Sequence, residues 1–212
     1  MSMSEDPNDF FHPAGWEARY AGEGATWSGE ANPQLVAEVH GLNPGTALDV
    51  GCGEGGDVVW LAARGWQVTG ADFSANGLAR AARHAERAGV TERVEWWQID
   101  ARHLSTDGRT WDLVSSHFLH PPAGGMVDVT RRLTHAVAPG GHLLVVGHAP
   151  TGHTHHFAPE LQRAMWLAND LLVALPDSFD VVVCEQRPRT VMRDGETIHI
   201  EDSTLLARRH PA

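Results

Sequence analysis

Residues 47–56 read Ala-Leu-Asp-Val-Gly-Cys-Gly-Glu-Gly-Gly, an apolar strand running into a loop where four of six residues are glycine. A helix pattern follows. Glycines at such a junction permit positive φ and let the backbone approach a ligand closely. Asp72 ends the next apolar run, 21 residues after Gly51, where a carboxylate can accept both hydroxyls of a ribose. A strand, a glycine turn and a helix in succession, with an acid closing the second strand, point to an α/β sheet that binds its ligand at one edge.

The rest of the chain fits that class. Apolar stretches at 46–50, 66–71, 93–99, 111–116 and 142–148 read as strands. Several lack strict alternation, as expected where helices cover both faces of a parallel sheet. Ser74 is a candidate N-cap for a helix that stops at Gly89, and another helix begins near 126 and is ended by Pro139-Gly140-Gly141. Asn32-Pro33 sets a cap before a proline at the first helical position, with Leu35, Val36 and Val39 on one face beyond it. The stretch 159–175 is expected to be one longer amphipathic helix stopped by Pro176. Strands at 179–186 and 197–209, joined around Asp194-Gly195, are expected to pair antiparallel. At 212 residues the chain is expected to be a single α/β domain over 1–212.

Composition excludes several chemistries. There is no lysine among the 16 basic residues, which removes Walker-type phosphate loops and Schiff-base catalysis. A formal charge of −11 argues against a nucleic-acid partner, whose phosphates need Lys and Arg. Cys52 and Cys184 are the only cysteines, too few for a disulfide framework or a cysteine zinc knuckle. The start, MSMSEDPNDFFHP, is not a signal peptide, and no apolar run reaches membrane-spanning length, so a cytoplasmic protein with no membrane partner is expected.

The glycine loop alone also matches the fingerprint of nicotinamide oxidoreductases. Three features separate the two readings. Asp49 stands two residues before Gly51, where a carboxylate helps a cationic ligand and not a pyrophosphate. Asp100 ends the third strand, placed to accept from an adenine amino group, with the Ala101 N–H offered to the ring. The chain ends soon after the expected hairpin, without the separate substrate domain of many dehydrogenases.

On these residues the chain resembles the class I S-adenosylmethionine-dependent methyltransferases. LDVGCGEGG is similar to the family's first motif, VTGADFS to its acidic ribose motif, WQIDA to its adenine motif, and LTHAVAPGGHLLVVGH to the approach to its fifth strand. The resemblance implies a Rossmann-like seven-stranded sheet of order 3-2-1-4-5-7-6, strand 7 antiparallel, with helices on both faces. It implies S-adenosyl-L-methionine as cofactor. Asp49, Gly51, Cys52 and Gly53 would shape the pocket for its methionine end, and Asp72 would hold the ribose with Phe73 beside the adenine. Asp100 and Ala101 would read the adenine edge, while Ser116 and His117 would face the sulfonium. A narrower likeness, WEARYAGEGATW, resembles the N-terminal aromatic pattern of the thiopurine, thiol/halide and tellurite-type enzymes. Trp16, Tyr20 and Trp27 would then close a lid segment (1–30) over the cofactor, offering π-faces to a cation and excluding water. The plainer alternative is that they staple a helix to the core.

Methyl transfer from a sulfonium is an in-line displacement, and a general base is needed only if the nucleophile keeps its proton. The tail of the fourth strand, SSHFLHPP, departs from the tetrad of amino-methylating enzymes, which leaves a small molecule as the favoured acceptor. His117, His120 and His148 are the candidate bases. The run GHAPTGHTHH begins a substrate-side insertion (149–176) and reads as pocket wall, as a solvated loop, or as a metal site through His148, His153, His155 and His156, with Glu160 the nearest carboxylate. Its spacing lacks a convincing ligand geometry, so no metal is assigned. A cofactor-binding protein without turnover and a nicotinamide oxidoreductase stand as alternatives.

Overall fold

A computed structural model describes residues 12–122, 124–151, 157–193 and 196–212. Seven strands, β1 (Thr46–Val50), β2 (Gln67–Asp72), β3 (Val94–Gln98), β4 (Trp111–His117), β5 (Val137–His148), β6 (Phe179–Arg193) and β7 (Glu196–Arg209), form one sheet. Its order is β3-β2-β1-β4-β5-β7-β6. The first five strands pair in parallel, with Leu48 of β1 beside Thr69 of β2 and Val114 of β4. β7 runs antiparallel to both β5 and β6. The order reverses between β1 and β4, which opens a crevice at the carboxyl ends of those strands.

Consecutive strand residues divide between two cores, because a strand points successive side chains to opposite faces. Leu48, Val114, Leu143 and Leu205 pack against α5 (Gly125–Ala136) on one face. Ala47, Leu113, Leu144 and Leu206 pack on the other, against α2 (Pro33–Val39) and α3 (Gly56–Ala63). The same second core takes in Ala85 of α4 (Ala75–Arg87). Near-continuous apolar strands are the consequence of covering both faces.

The local signals at helix ends hold. The Ser74 side chain accepts from the Gly77 N–H at 3.0 Å and Asn32 accepts from Gln34 N–H at 2.8 Å, each at the start of its helix. Gly89, just past α4, has φ +69°.

Two expectations are corrected. The stretch 159–175 is not one helix: α6 spans only Pro159–Ala164, Met165–Leu167 is extended, and a 3₁₀ stretch covers Ala168–Ala174. The reason is tertiary. Trp166 packs its indole against Gly147, and its carbonyl accepts the buried Ser203 hydroxyl at 2.6 Å, which ties the extended segment to β5 and β7. Similarly, β6 runs past Gln186 through Pro188, because an edge strand tolerates a proline that a central strand would not. Asp194-Gly195, the expected hairpin turn, lies outside the described residues.

A Cβ at Gly147 would stand 2.5 Å from the Trp166 ring. Gly147→Ala is therefore expected to destabilise the fold by about 1–3 kcal/mol, the usual cost of overpacking, read as a lower urea midpoint at unchanged m-value.

Candidate active site

The turn after β1 places Gly51, Gly53 and Gly55 at φ +78°, +51° and +78°. At Gly53 the constraint is spatial as well: a Cβ would lie 2.7 Å from the Tyr20 hydroxyl. The amides of this loop point inward. Gly51 and Cys52 both donate to the Ala71 carbonyl (2.8 and 3.1 Å), and Gly55 donates to the Cys52 carbonyl at 2.8 Å. Gly53 donates to Asp72 Oδ2 at 2.9 Å. The Glu30 carbonyl lies 2.9 Å from where a Gly56 Cβ would sit, so chain covers the start of α3. Those donors are spent within the fold, and the surrounding side chains, Asp49, Glu54, Asp57 and Asp72, are acids. Such a corner is built for a cation rather than a pyrophosphate.

Beneath the loop lies a buried triad. Asp49 accepts the Ser115 hydroxyl at 2.7 Å, and Asp57 accepts the Asn32 N–H at 2.6 Å. His117 Nδ1 lies 2.8 Å from Asp57 and 3.7 Å from Asp49, and its side chain is 4% exposed. The 2.8 Å contact is an ion-pair distance, although the ring N–H is not aligned with the oxygen. Burial, then the Asp57 charge, pushes the Asp49 carboxyl up to about 7. Burial is the largest influence on Asp57 and opposes its ionisation, but the charge and contact of His117 and the Asn32 N–H together outweigh it and hold that carboxyl below its usual value. The His117 imidazolium is disfavoured by burial and favoured more strongly by Asp57 and Asp49, which raises its pKa.

Ser116 and His117 both point into the protein. His117 lies under the loop with Asp49 and Asp57, because strand alternation puts it on the face of Ser115. Ser116 is fully buried and donates to the Val50 carbonyl at 2.8 Å. Asp57, the partner that explains His117, was missed in the sequence; an acid in the first turn of a helix reads as an ordinary dipole partner.

At the end of β2, Asp72 accepts from Gly53 N–H and from Ser74 N–H at 2.8 Å. An ionised carboxylate has about four acceptor sites, so two remain. Burial raises the Asp72 pKa and also that of the enclosed Cys52 thiol. Asp100 is engaged by Arg102, whose Nη2 lies 2.6 Å away, and Ala101 is buried beside it. The Phe73 carbonyl accepts from Gln98 Nε2 at 3.2 Å, tying the ends of β2 and β3 together.

The N-terminal helix α1 (Pro13–Ala21) lies over this corner. Trp16 stacks at 5.7 Å from Tyr20 and 5.8 Å from Trp27, and the Trp27 indole N–H donates to the Tyr20 hydroxyl at 3.2 Å. Burial is the main cause of a raised Tyr20 pKa. Three charged residues, Glu17, Glu54 and Arg80, fasten the segment. Glu17 accepts from the Ser74 hydroxyl and, at 3.2 Å, from Asn76 N–H. Glu54 accepts from Thr26 N–H and Trp27 N–H at 3.0 Å and pairs with Arg80 at 2.5 Å. Arg80 also donates to the Gly22 and Gly24 carbonyls. The lone charged residue inside the glycine loop was the only hint in the sequence.

At the end of β5 the chain brings His120 and His148 together, stacked at 5.2 Å and 13°. Phe118 and Phe157 pack on His148 at 4.6 and 4.8 Å. Burial, reinforced by His148, drops the His120 pKa to about 3. Asp202 of β7 and Arg189 of β6 complete the cluster. His153, His155 and His156 lie outside the described residues. Among the described residues, the one group of three or more side chains with metal-ligand spacing is Asp49, Asp57 and His117.

A model of the methyltransferase domain family matches residues 47–141. Residues 47–141 thus carry a methyltransferase domain. The chain is 34% identical over 124 residues to a ribosomal RNA small subunit methyltransferase C from Alcanivorax borkumensis, covering 55% of this chain and 37% of that one. It is 33% identical over 109 residues to a ubiquinone biosynthesis O-methyltransferase from Serratia proteamaculans, covering 51% and 45%. The chain thus spans less than half the length of these relatives. The fold matches that of the N-methyltransferase NodS from Bradyrhizobium japonicum WM9, solved with S-adenosyl-L-homocysteine, at a TM-score of 0.69, 18% identity and coverage of 92% and 97%. The matched span of the methyltransferase domain holds the glycine loop and the acidic triad. It leaves out α1, His148, Arg189 and Asp202.

The Asp49 carboxyl, about 7 in the fold against 3.8 ordinarily, gives the folded state a proton that the unfolded chain releases between those values. Stability must fall as pH rises through that window. Asp49→Asn retains an acceptor for Ser115 and cannot ionise. It is expected to be more stable than the parent above pH 7, by at least about 1 kcal/mol given about 1.4 kcal/mol per pKa unit. The difference should vanish below about pH 4; urea titrations across pH measure it.

Proposed function

We propose that the methyltransferase domain binds S-adenosyl-L-methionine and transfers its methyl group to a small-molecule nucleophile. The observation that carries this reading is the glycine corner with inward amides and converging carboxylates. A dinucleotide pyrophosphate finds no free donors in Gly51, Cys52, Gly53 or Gly55, whose N–H groups are already bonded. A cofactor bearing a sulfonium and an ammonium finds Asp49 and Asp72.

The residues fit that group one by one. The two unused acceptor sites of Asp72 suit the two hydroxyls of a ribose. Ala101 offers its N–H to the adenine ring, with Phe73 beside it and Asp100 at its amino edge. Asp49 gains a cationic neighbour that favours its ionised form. Trp16, Tyr20 and Trp27 cover the methionine end, keeping water out and presenting π-faces to positive charge. When bound, the cofactor supplies a methyl group on a cationic sulfur that departs as a neutral thioether.

A small molecule is the acceptor that the surface favours. A charge of −11 opposes a nucleic-acid backbone, although one relative is named for ribosomal RNA. Another is named as an O-methyltransferase. Among the described residues no helix is long and apolar enough to cross a membrane.

Calorimetry is expected to show binding of S-adenosylmethionine and none of NADH, with Asp72→Asn weakening the former about 10-fold or more, the worth of hydrogen bonds to a charged group. S-adenosylhomocysteine release should be measured over thiols, phenols and amines, with and without chelator. Cofactor binding without turnover on any acceptor would point to a non-catalytic binding protein; NADH binding alone would overturn the reading.

A further inference from the structure

We infer that Asp202 and Arg189 orient His148 as the proton acceptor of the acceptor side, and that the acceptor is a hydroxyl compound with an apolar body. This rests on the methyltransferase reading and adds to it the identity of the reacting atom.

The argument starts from Asp202, which is 0% exposed. A buried carboxylate is costly unless it is paired and serves a purpose. Its partner is Arg189, reaching in from the edge strand with Nε at 2.7 Å and Nη2 at 3.2 Å. In the sheet register Asp202 stands directly opposite His148. Its Oδ1 lies 3.5 Å from His148 Nδ1, long for a hydrogen bond, and such contacts tighten when the reacting groups assemble. An acid facing Nδ1 keeps the proton there and leaves Nε2 as the nitrogen with a lone pair.

The burial of the ring points the same way. Nδ1 has no exposed surface, yet 17% of the side chain is open, so the accessible part of the side chain lies away from Nδ1. His120 is unsuited to the task, since it is buried and its Nε2 already accepts the His148 backbone N–H at 3.4 Å. Its place is to hold the His148 backbone. His117 is taken up by Asp57.

A thiolate, selenide or free amine needs little help with its proton, whereas a hydroxyl does. An imidazole oriented by a buried acid is the device a hydroxyl requires. Around it both cations are paired: Arg189 with Asp202, and Arg187 with Glu38 and Glu185. The apolar surface beside the imidazole comes from the Phe118 and Phe157 rings at 4.6 and 4.8 Å, with Arg189 over Phe118 at 5.1 Å. Phe118 is held at φ +53°, a conformation rarely adopted by aromatic residues and found preferentially at working sites.

In the step, the acceptor O–H proton passes to His148 Nε2 and the oxygen lone pair forms the new O–CH3 bond. The C–S bond breaks with its electron pair kept by the departing thioether, and the imidazolium then releases its proton to solvent.

The test uses the whole chain and a matched set of phenols and thiophenols. His148→Gln is expected to lower kcat on phenols about 100-fold or more, within the range of general-base catalysis, while thiophenol turnover changes less than about threefold. Asp202→Asn should lower the phenol rate with the KM for S-adenosylmethionine unchanged. Nitrogen-15 spectra of neutral His148 in the parent protein should show the Nδ1–H tautomer, a readout that needs neither acceptor nor a folded Asp202 variant. An Nε2–H tautomer, or equal loss on phenols and thiophenols, overturns the proposal. Calorimetry with S-adenosylhomocysteine separates the two levels: normal binding with turnover confined to thiols or amines sinks this inference alone, and absent binding sinks the methyltransferase reading beneath it.

Discussion

The end of β2 takes hold of the glycine loop: Ala71 C=O accepts from Gly51 and Cys52, and Asp72 accepts from Gly53. Much of the ligand-binding edge depends on these three bonds. They fix the turn between β1 and α3, hold the Asp72 carboxylate facing the crevice, and set Gly53 close enough to meet the Tyr20 hydroxyl. They also remove the amides that a phosphate would need, so the electrostatic character of the corner is decided by its acids.

Two ionic groups, built alike, stand at the carboxyl edge of the sheet. In the first, Asp49 and Asp57 share His117 beneath the loop. In the second, Asp202 is flanked by Arg189 and His148 beyond β5. Each places a buried carboxylate against a histidine. They differ in access. The first imidazole is 4% exposed and the second 17%, so the first is a part of the floor and the second meets the outside. The N-terminal aromatics Trp16, Tyr20 and Trp27 lie over the glycine loop, with their segment fastened by Glu54, Arg80 and Glu17.

Legibility from the sequence followed how local each signal was. The strand–glycine–helix junction, the Ser74 and Asn32 caps and the acid at the end of β2 are short-range patterns, and each stands where its pattern put it. The break at Met165–Leu167 had no local cause, since the stretch has good helix-forming residues; it arises because Trp166 lies on Gly147, 19 positions earlier. His117 was readable as a residue near the edge but not as a partner of Asp57, because that pair spans two elements.

The sequence by itself determined the class of fold, the order of its elements and the glycine turn after β1, all of which rest on glycine conformations and on side-chain periodicity within a few residues. Only the tertiary structure decided which histidine is buried, which is stacked and which faces an acid. Those outcomes depend on strand register: pairing β5 with β7 sets His148 beside Asp202, 54 residues away, and reach across the sheet brings Arg189 to the same carboxylate. No pattern along the chain encodes a contact that arises only when strands align.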